Sequence, residues 1–368
     1  MSHSSRLHGH RLGAFVAVVA ILAAVAFAAS RERLPDSYFY ERATGQMIVP
    51  GCSEIHCFRV LVPWALGALP GSLVVRWKAY AVLFDAAAAF AVFDLCLTLG
   101  LSRRAATIAL ALSALGFAPL LAFFDPFTSD PLVFWLCPLI MRWALQDRIG
   151  PAAVVACVGV FAKEFVVAPL AIFALFEAGA RRWATAWRAV GAAAAAVVVW
   201  LALQAWLRFQ FNYSYGTNKS PQLLSGSYLF FWLSQMSPRG ALSAMYNEFG
   251  ALYILIPVGW LVAPRRLQVL SIAALPFACV FAYVQQPDRA LWNFGFLVIP
   301  MAALVLEPLH DVLVWAFVAL YGMANMRIGA QVLLVPQGRY TLAASTAIAL
   351  AAVVMRWRKR PEDMGVTS

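Results

Sequence analysis

Long apolar stretches, which recur from Leu12 to near the C-terminus, constrain the fold of this chain more than any other feature. Hydrophobic residues make up 63% of its 368 residues and charged residues only 12%, whereas a soluble domain carries about 25% charged residues. The chain has too little polar surface to fold in water. We therefore expect residues 1–368 to form a single integral membrane domain that uses the bilayer as its solvent.

The apolar stretches are continuous and rich in Ala, Leu and Val, and they do not alternate with polar residues as the strands of a membrane barrel would. They predict an all-α fold, a polytopic transmembrane helical bundle of about 11 to 13 membrane segments. The predicted spans cover residues 12–30, 79–101, 105–124, 131–146, 150–162, 165–179, 188–207, 249–263, 267–284, 290–306, 311–326 and 340–356.

Short basic connections indicate which ends of the spans face the cytoplasm. Arg103–Arg104, Arg181–Arg182 and Arg265–Arg266 lie between spans, and a basic tail follows the last span. Because Lys and Arg concentrate on the cytoplasmic side, we expect both termini in the cytoplasm and the chain in a bacterial inner (cytoplasmic) membrane. The periplasmic segments are then 31–78, 125–130, 163–164, 208–248, 285–289 and 327–339.

The N-terminal stretch permits two interpretations. Ala26-Phe27-Ala28 resembles a signal-peptidase site, but the stretch from Leu12 to Ala29 is long enough to span a bilayer. We favour an uncleaved first helix, and cleavage would leave the remaining topology unchanged.

The formal net charge of +11 does not indicate a nucleic-acid partner. The Lys and Arg residues form short clusters between apolar stretches and do not line one solvated face. Such clusters are typical of topology signals and of contacts with membrane lipids or anionic ligands. We expect no nucleic acid to bind.

Two of the six cysteines share one outer loop. Cys52 and Cys57 lie in GCSEIHC, on the side of the membrane where disulfides persist, and they are predicted to form a disulfide. The alternative is a metal site with His56, but three close neighbours without a fourth ligand make a poor zinc site.

The first outer loop, 31–78, contains RERLPDSYFYERATGQ, which places Asp36 beside Tyr38 and Tyr40 at the depth of the membrane interface. A carboxylate in this position can act as a general base, with the tyrosines as supporting residues. The alternative is that Asp36 caps a short interfacial helix.

The same loop continues with CFRVLVPWALGALP, an apolar stretch that predicts an interfacial helix. Arg59 stands among its hydrophobic residues and could bind a phosphate through two hydrogen bonds, with positive charge added by Arg76 and Lys78. The alternative is ordinary snorkelling of a long basic side chain.

The turn FFDPFTSDPLVF carries Asp125 and Asp130 on the outer surface. Two carboxylates so close could hold a divalent metal ion. They could equally cap helices, because Asp130 precedes a proline that suits the first helical position.

Lys163 and Glu164 separate two apolar stretches of only 12 residues each, so they lie in or near the hydrocarbon. Adjacent residues on a helix point about 100° apart, and each is expected to have a different partner. Lys163 is a candidate for an anionic lipid phosphate. Asp85, in the outer half of the second span, could join the region of Asp36 as a supporting residue.

The long periplasmic loop 208–248 is rich in aromatic and hydroxyl side chains, as suits sugar stacking or a lid over a substrate. Further along, QQPDRALWNFG offers Arg289 at the outer end of a span.

Taken in order, these pieces resemble the GT-C superfamily of membrane glycosyltransferases, which use polyprenyl-phosphate sugars or related lipid donors on the non-cytoplasmic face. The resemblance depends on Asp36 in the first outer loop, the stretch FRVLVP after it, Asp125 and Asp130 between two spans, and Lys163-Glu164 between short spans. It covers about the first half of the chain.

The resemblance implies a GT-C-like fold, a lipid-linked sugar donor and an envelope glycan or lipid as acceptor. It implies that Asp36 acts as catalytic base or positions the acceptor, and that Arg59, Lys163 and Arg289 bind the donor phosphate. The acidic pair in the outer turn does not form a compact acid-x-acid motif, which leaves the requirement for a divalent metal ion open.

Two other classes of protein fit the same pattern. A multi-pass transporter also has about twelve spans and charged residues within the membrane. The longest loop, however, is periplasmic and joins halves of unlike span length, which is not typical of a transporter built from two similar halves. The third class is a non-catalytic protein of lipid handling or envelope assembly.

Overall fold

The computed structural model describes residues 3–29, 37–214, 237, 249–284, 291–326 and 338–363. Throughout these residues the regular elements are helices, and the predicted all-α class is confirmed. The α-helices are α1 His3–Ala28, α2 Ser37–Gln46, α3 Leu61–Gly67, α4 Leu73–Thr98, α5 Arg103–Ala114, α6 Phe117–Phe124, α7 Asp130–Leu145, α8 Ile149–Gly159, α9 Ala168–Gly179, α10 Trp183–Phe211, α11 Leu252–Val262, α12 Arg265–Val284, α13 Gly295–Leu306, α14 Asp311–Asn325 and α15 Gly338–Asp363. Short 3₁₀ helices cover Ile55–Phe58, Glu164–Val167 and Leu291–Phe294.

Each predicted span has a helical counterpart, so this is a membrane protein with many helical segments. Five stretches of the described residues are long and apolar enough to cross a bilayer. They are Arg11–Ala28, Leu73–Thr98, Arg103–Phe124, Trp183–Phe211 and Tyr340–Trp357. Shorter apolar helices include α8, α11 and α14, as the short predicted spans led us to expect.

The predicted span 105–124 is not one uninterrupted helix, because it breaks between α5 and α6. Pro119 has no N–H to donate to the carbonyl of Leu115, four residues earlier. The side-chain amide of Asn325 donates to that carbonyl instead, at 3.0 Å. A partner from α14 thus satisfies the backbone group that the proline frees.

The chain divides into two compact units. The first consists of Met1–Ala91 and Pro119–Leu229, and the second of Val92–Ala118 and Phe230–Ser368. In the second unit α11 and α13 pack closely at Gly259. A Cβ atom added to this residue would lie only 2.3 Å from the carbonyl oxygen of Met301. The prediction of one membrane domain for residues 1–368 stays a prediction.

In the first unit, α4 begins at Leu73 rather than at residue 79, so two basic residues predicted for the outer loop are helical. Lys78 donates to the carbonyls of Ala26 and Ala29 at 2.6 and 3.0 Å, at the C-terminal end of α1. Arg76 donates to the carbonyl of Leu66 near the end of α3. Both side chains stabilise helix ends, where the helix dipole favours a positive charge.

Four segments predicted to lie outside the cytoplasm meet in the first unit. The amide of Gly51 donates to the carbonyl of Phe211 at 2.9 Å, and the amide of Leu61 donates to Phe161 at 3.0 Å. The segments 125–130 and 163–164 join them through the ion pairs described below. These contacts place the segments together, and the side of the membrane on which they lie stays a prediction.

Aromatic side chains mark both ends of α10. Trp183 and Trp187 are exposed near its start, and Trp206 and Phe209 are exposed near its end. At 1.5 Å per residue, about 28 Å separates Trp187 from Trp206, close to the thickness of the hydrocarbon core. The two groups therefore suit the two membrane interfaces, where tryptophan is enriched.

Candidate functional site

The first part of the site is a buried ion pair between two distant segments of the sequence. Arg59 follows the 3₁₀ helix Ile55–Phe58, and Glu164 begins the next 3₁₀ helix. The guanidinium donates to both carboxylate oxygens of Glu164, at 2.8 and 3.4 Å. The Arg59 side chain is 8% exposed and that of Glu164 24%. Arg59 is therefore held by a carboxylate and does not snorkel.

A second ion pair lies immediately beside the first. The ammonium of Lys163 contacts Oδ1 of Asp130 at 2.6 Å, and the two side chains are 5% and 19% exposed. Asp130 is the first residue of α7, but Ser129 takes the N-cap position. The sequence offered two interpretations of Asp130, a helix cap or a metal ligand. The structure shows a third role, in which its carboxylate pairs with a buried cation.

Lys163 and Glu164 have different partners although they are adjacent in sequence. Lys163 is in extended conformation at the N-cap of the 3₁₀ helix, which sends the two side chains in different directions. One residue thus reaches α7 and the other reaches the first outer loop. The short turn between α8 and α9 therefore contacts both α7 and the first outer loop, and the two ion pairs form one cluster.

Two tyrosines extend this cluster. Tyr40 of α2 is buried, and its hydroxyl interacts with Arg59. Tyr80 of α4 donates to the carbonyl of Ser129 at 3.2 Å and accepts the amide of Leu132 at 3.1 Å. Tyr80 therefore fixes the start of α7, on which Asp130 stands.

Burial and charge act in opposite directions on the ionisable groups outside the spans. Burial alone would raise the pKa of Glu164, but the charge and hydrogen bond of Arg59 act together with the charge of Lys163, and the pKa is lowered. Burial lowers the pKa of Lys163, and Asp130 only partly opposes this change. Burial raises the pKa of the Tyr40 hydroxyl despite the neighbouring Arg59.

Asp85 lies within α4 and is buried. Within the part of the chain that the structure describes, neither of its carboxylate oxygens has a hydrogen-bond partner. Asp130 is close enough to influence it electrostatically. A buried carboxyl group in this condition costs several kcal/mol if it is ionised, so Asp85 is a candidate for a proton or a polar ligand group.

An apolar groove of about 420 Å³ is lined in part by residues that are close in sequence to the ion pairs. Its lining contains Val60, which follows Arg59, and Phe161, which lies two residues before Lys163. The complete lining is Val60, Leu61, Trp64, Phe161, Val199, Ala202, Leu203 and Trp206. The groove thus runs along α10 near the tryptophan that suits the membrane interface.

Cys52 and Cys57 are joined by a disulfide just before Arg59 in the sequence. The carbonyl of Cys52 accepts the amide of Ser214 at 2.9 Å, and the hydroxyl of Tyr213 accepts the amide of Val49 at 3.0 Å. These contacts attach the disulfide loop to the end of α10. The loop therefore orients the 3₁₀ helix that leads to Arg59.

Four of the candidate residues predicted from the sequence remain: Asp36, Tyr38, Asp125 and Arg289. Tyr38 is exposed, whereas Asp125 is buried at the end of α6. Asp36 and Arg289 lie outside the described residues. Within the described ranges, which omit Asp36, we find no group of three His, Cys, Asp or Glu side chains that could hold a metal ion.

Sequence reasoning did not find Tyr80 or its link to the start of α7. The available signal was a hydroxyl-bearing aromatic residue within an apolar span, five residues before Asp85. A tyrosine in this position usually finds a hydrogen-bond partner when it is buried. Its partners, however, come from residues about 50 positions further along the chain.

Neither a protein-family model nor a curated protein sequence matches this chain. Among solved structures, it is similar to the crystal structure of the Archaeoglobus fulgidus oligosaccharyltransferase in the apo form, with 14% identity and a TM-score of 0.46. The match covers 93% of this chain and 55% of that chain. The chain thus spans about half the length of that structure, and a TM-score of 0.46 transfers neither a residue nor an activity.

Proposed function

We propose that this protein is a GT-C-like membrane glycosyltransferase that moves a sugar from a polyprenyl-phosphate donor to an envelope glycan or lipid at the periplasmic face. A bacterial inner membrane with both chain termini in the cytoplasm is part of the proposal. The observation that carries it is that two buried cations, Arg59 and Lys163, lie one and two residues along the chain from Val60 and Phe161, which line an open apolar groove.

This arrangement suits a ligand that has a phosphate attached to a long apolar chain. Arginine binds phosphate through two parallel N–H donors, and lysine adds a point charge. The groove lining is apolar and runs along α10, which suits a polyprenyl chain. A soluble sugar nucleotide has no long apolar chain that could occupy such a groove.

The proposed transfer needs a base and a stabilised leaving group. The base removes the proton from an acceptor hydroxyl, whose oxygen then bonds to the anomeric carbon of the sugar. The bond from that carbon to the phosphate oxygen breaks, and its electron pair leaves with the phosphate. Asp36 is the proposed base, and Arg59, Lys163 and Arg289 are proposed to stabilise the departing phosphate.

Supporting roles fall to residues around these groups. Tyr40 interacts with Arg59, and Glu164 holds Arg59 in place. A divalent metal ion at Asp125 and Asp130 stays a prediction. Such an ion would have to compete with Lys163 for the carboxylate of Asp130.

The test is transfer of radiolabelled sugar from a panel of polyprenyl-phosphate sugars in proteoliposomes. We expect transfer by the wild type and its loss in Asp36→Asn. Glu54→Gln is the matched control, because it removes one carboxylate charge from the same loop and should retain transfer. Retained transfer in Asp36→Asn would remove Asp36 from the mechanism, and a wild type that transfers from no donor would count against the enzyme.

A transporter is the second candidate function, and Asp85 is the observation that favours it. Buried carboxyl groups within membrane helices often belong to proton or substrate pathways. Uptake into proteoliposomes driven by a proton gradient, and abolished in Asp85→Asn, would favour transport over transfer.

A further inference from the structure

The carboxylates of the two ion pairs are more exposed than the cations that they neutralise. Glu164 is 24% exposed against 8% for Arg59, and Asp130 is 19% exposed against 5% for Lys163. A ligand that approaches from the accessible side therefore meets the carboxylates first. The two cations are the more buried partners of the pairs.

The carboxylates also occupy the hydrogen-bond positions that a phosphate would need. Glu164 takes two donors of the Arg59 guanidinium, at 2.8 and 3.4 Å. Asp130 takes the ammonium of Lys163 at 2.6 Å. With both pairs closed, the formal charges of these four side chains sum to zero. An anion gains little attraction from this cluster unless a carboxylate moves away.

We propose that a lipid-linked phosphate binds this cluster by displacing Glu164 from Arg59 and Asp130 from Lys163, so that the two carboxylates act as built-in competitors of the ligand. The class of ligand rests on the proposed function, whereas displacement concerns binding alone. The buried cations are paired with a carboxylate before displacement and with the phosphate after it, which avoids the cost of an uncompensated buried charge in either state.

Displacement and a purely supporting role of Glu164 and Asp130 predict opposite effects on phosphate binding. Removing the charge of a competing carboxylate should tighten binding of the phosphate, whereas removing a residue that merely supports the site should weaken it. A hydrogen bond to a charged group is stronger than one between neutral groups, so loss of one competitor should lower Kd by about 10-fold.

The experiment measures Kd of polyprenyl monophosphate, without a sugar, for the full chain in nanodiscs. We expect Asp130→Asn and Glu164→Gln to bind about 10-fold more tightly than the wild type, and Lys163→Gln to bind about 10-fold more weakly. The control is Asp147→Asn, which makes the same chemical change in the exposed pair with Arg188 and should leave Kd unchanged.

Unchanged or weaker binding by both Asp130→Asn and Glu164→Gln would overturn displacement. Because the two substitutions act on separate pairs, poor folding of one variant leaves the other as a test. Inorganic phosphate serves as a second probe. It should bind much more weakly than the lipid, and equal affinity for the two probes would overturn the lipid-linked source of the phosphate.

The binding experiment and the sugar-transfer experiment can fail independently of each other. Tighter binding in the two variants without sugar transfer by the wild type would support displacement and count against the glycosyltransferase. Transfer by the wild type without tighter binding in either variant would overturn displacement and leave the glycosyltransferase intact.

Discussion

The Arg59–Glu164 pair gives an asymmetric prediction about stability. Glu164→Gln leaves a guanidinium whose side chain is only 8% exposed, and Arg59→Gln leaves a carboxylate that is 24% exposed. Removing one partner of a buried pair costs roughly 3–5 kcal/mol, because the other charge remains without compensation. A guanidinium cannot lose its proton in a protein, whereas a carboxylate can be protonated or reach water.

We therefore expect Glu164→Gln to destabilise the protein by about 4–5 kcal/mol and Arg59→Gln by about 3 kcal/mol. The double variant should cost less than the sum of the two, because it leaves neither charge of this pair without its partner. Equilibrium unfolding in bicelles by steric trapping measures all three free energies. Additive costs, or a greater cost for Arg59→Gln, would refute the reasoning from burial.

Three further predictions concern charge, the disulfide and helix packing. Because the folded pKa of Glu164 is lowered, its stabilisation is present above an unfolded pKa of about 4.3 and is lost as pH falls through the folded value. The stability difference between wild type and Glu164→Gln, measured against pH, should shrink below about pH 4. Replacing Cys52 and Cys57 with serine should cost about 2 kcal/mol in the chain-entropy model. Thiol counting on the denatured wild type should find four reactive cysteines before reduction and six after it. Gly259→Ala should cost about 1–3 kcal/mol by pushing a methyl group against a neighbouring carbonyl. The control Gly191→Ala has open space at its Cβ and should be neutral or stabilising. Thermal unfolding of both variants compares the two effects.

Much of the helical layout could be predicted because composition acts locally. A continuous apolar stretch needs internally satisfied backbone groups in lipid, and a helix satisfies them with its own residues. The break at Pro119 was accessible in principle, since proline removes a backbone donor. The early start of α4 was not, because Lys78 and Arg76 look like loop residues until the helix ends that they stabilise are known.

The components of the candidate site were partly visible in the sequence, but their pairing was not. Lys163 and Glu164 stood out because charges between two short apolar stretches are costly without partners. Their partners, Asp130 and Arg59, are 33 and 105 residues away in sequence. No local pattern relates residues so far apart.

The sequence by itself determined the solvent of this protein and its helical class, because both depend on how many apolar residues occur in a row. It also determined which segments contain polar residues between the spans. Only the tertiary structure decided that Arg59 pairs with Glu164 and Lys163 with Asp130, and that the carboxylates are more exposed than the cations. The physical reason is that burial and ion pairing depend on which helices pack together, and packing brings distant segments of the chain into contact.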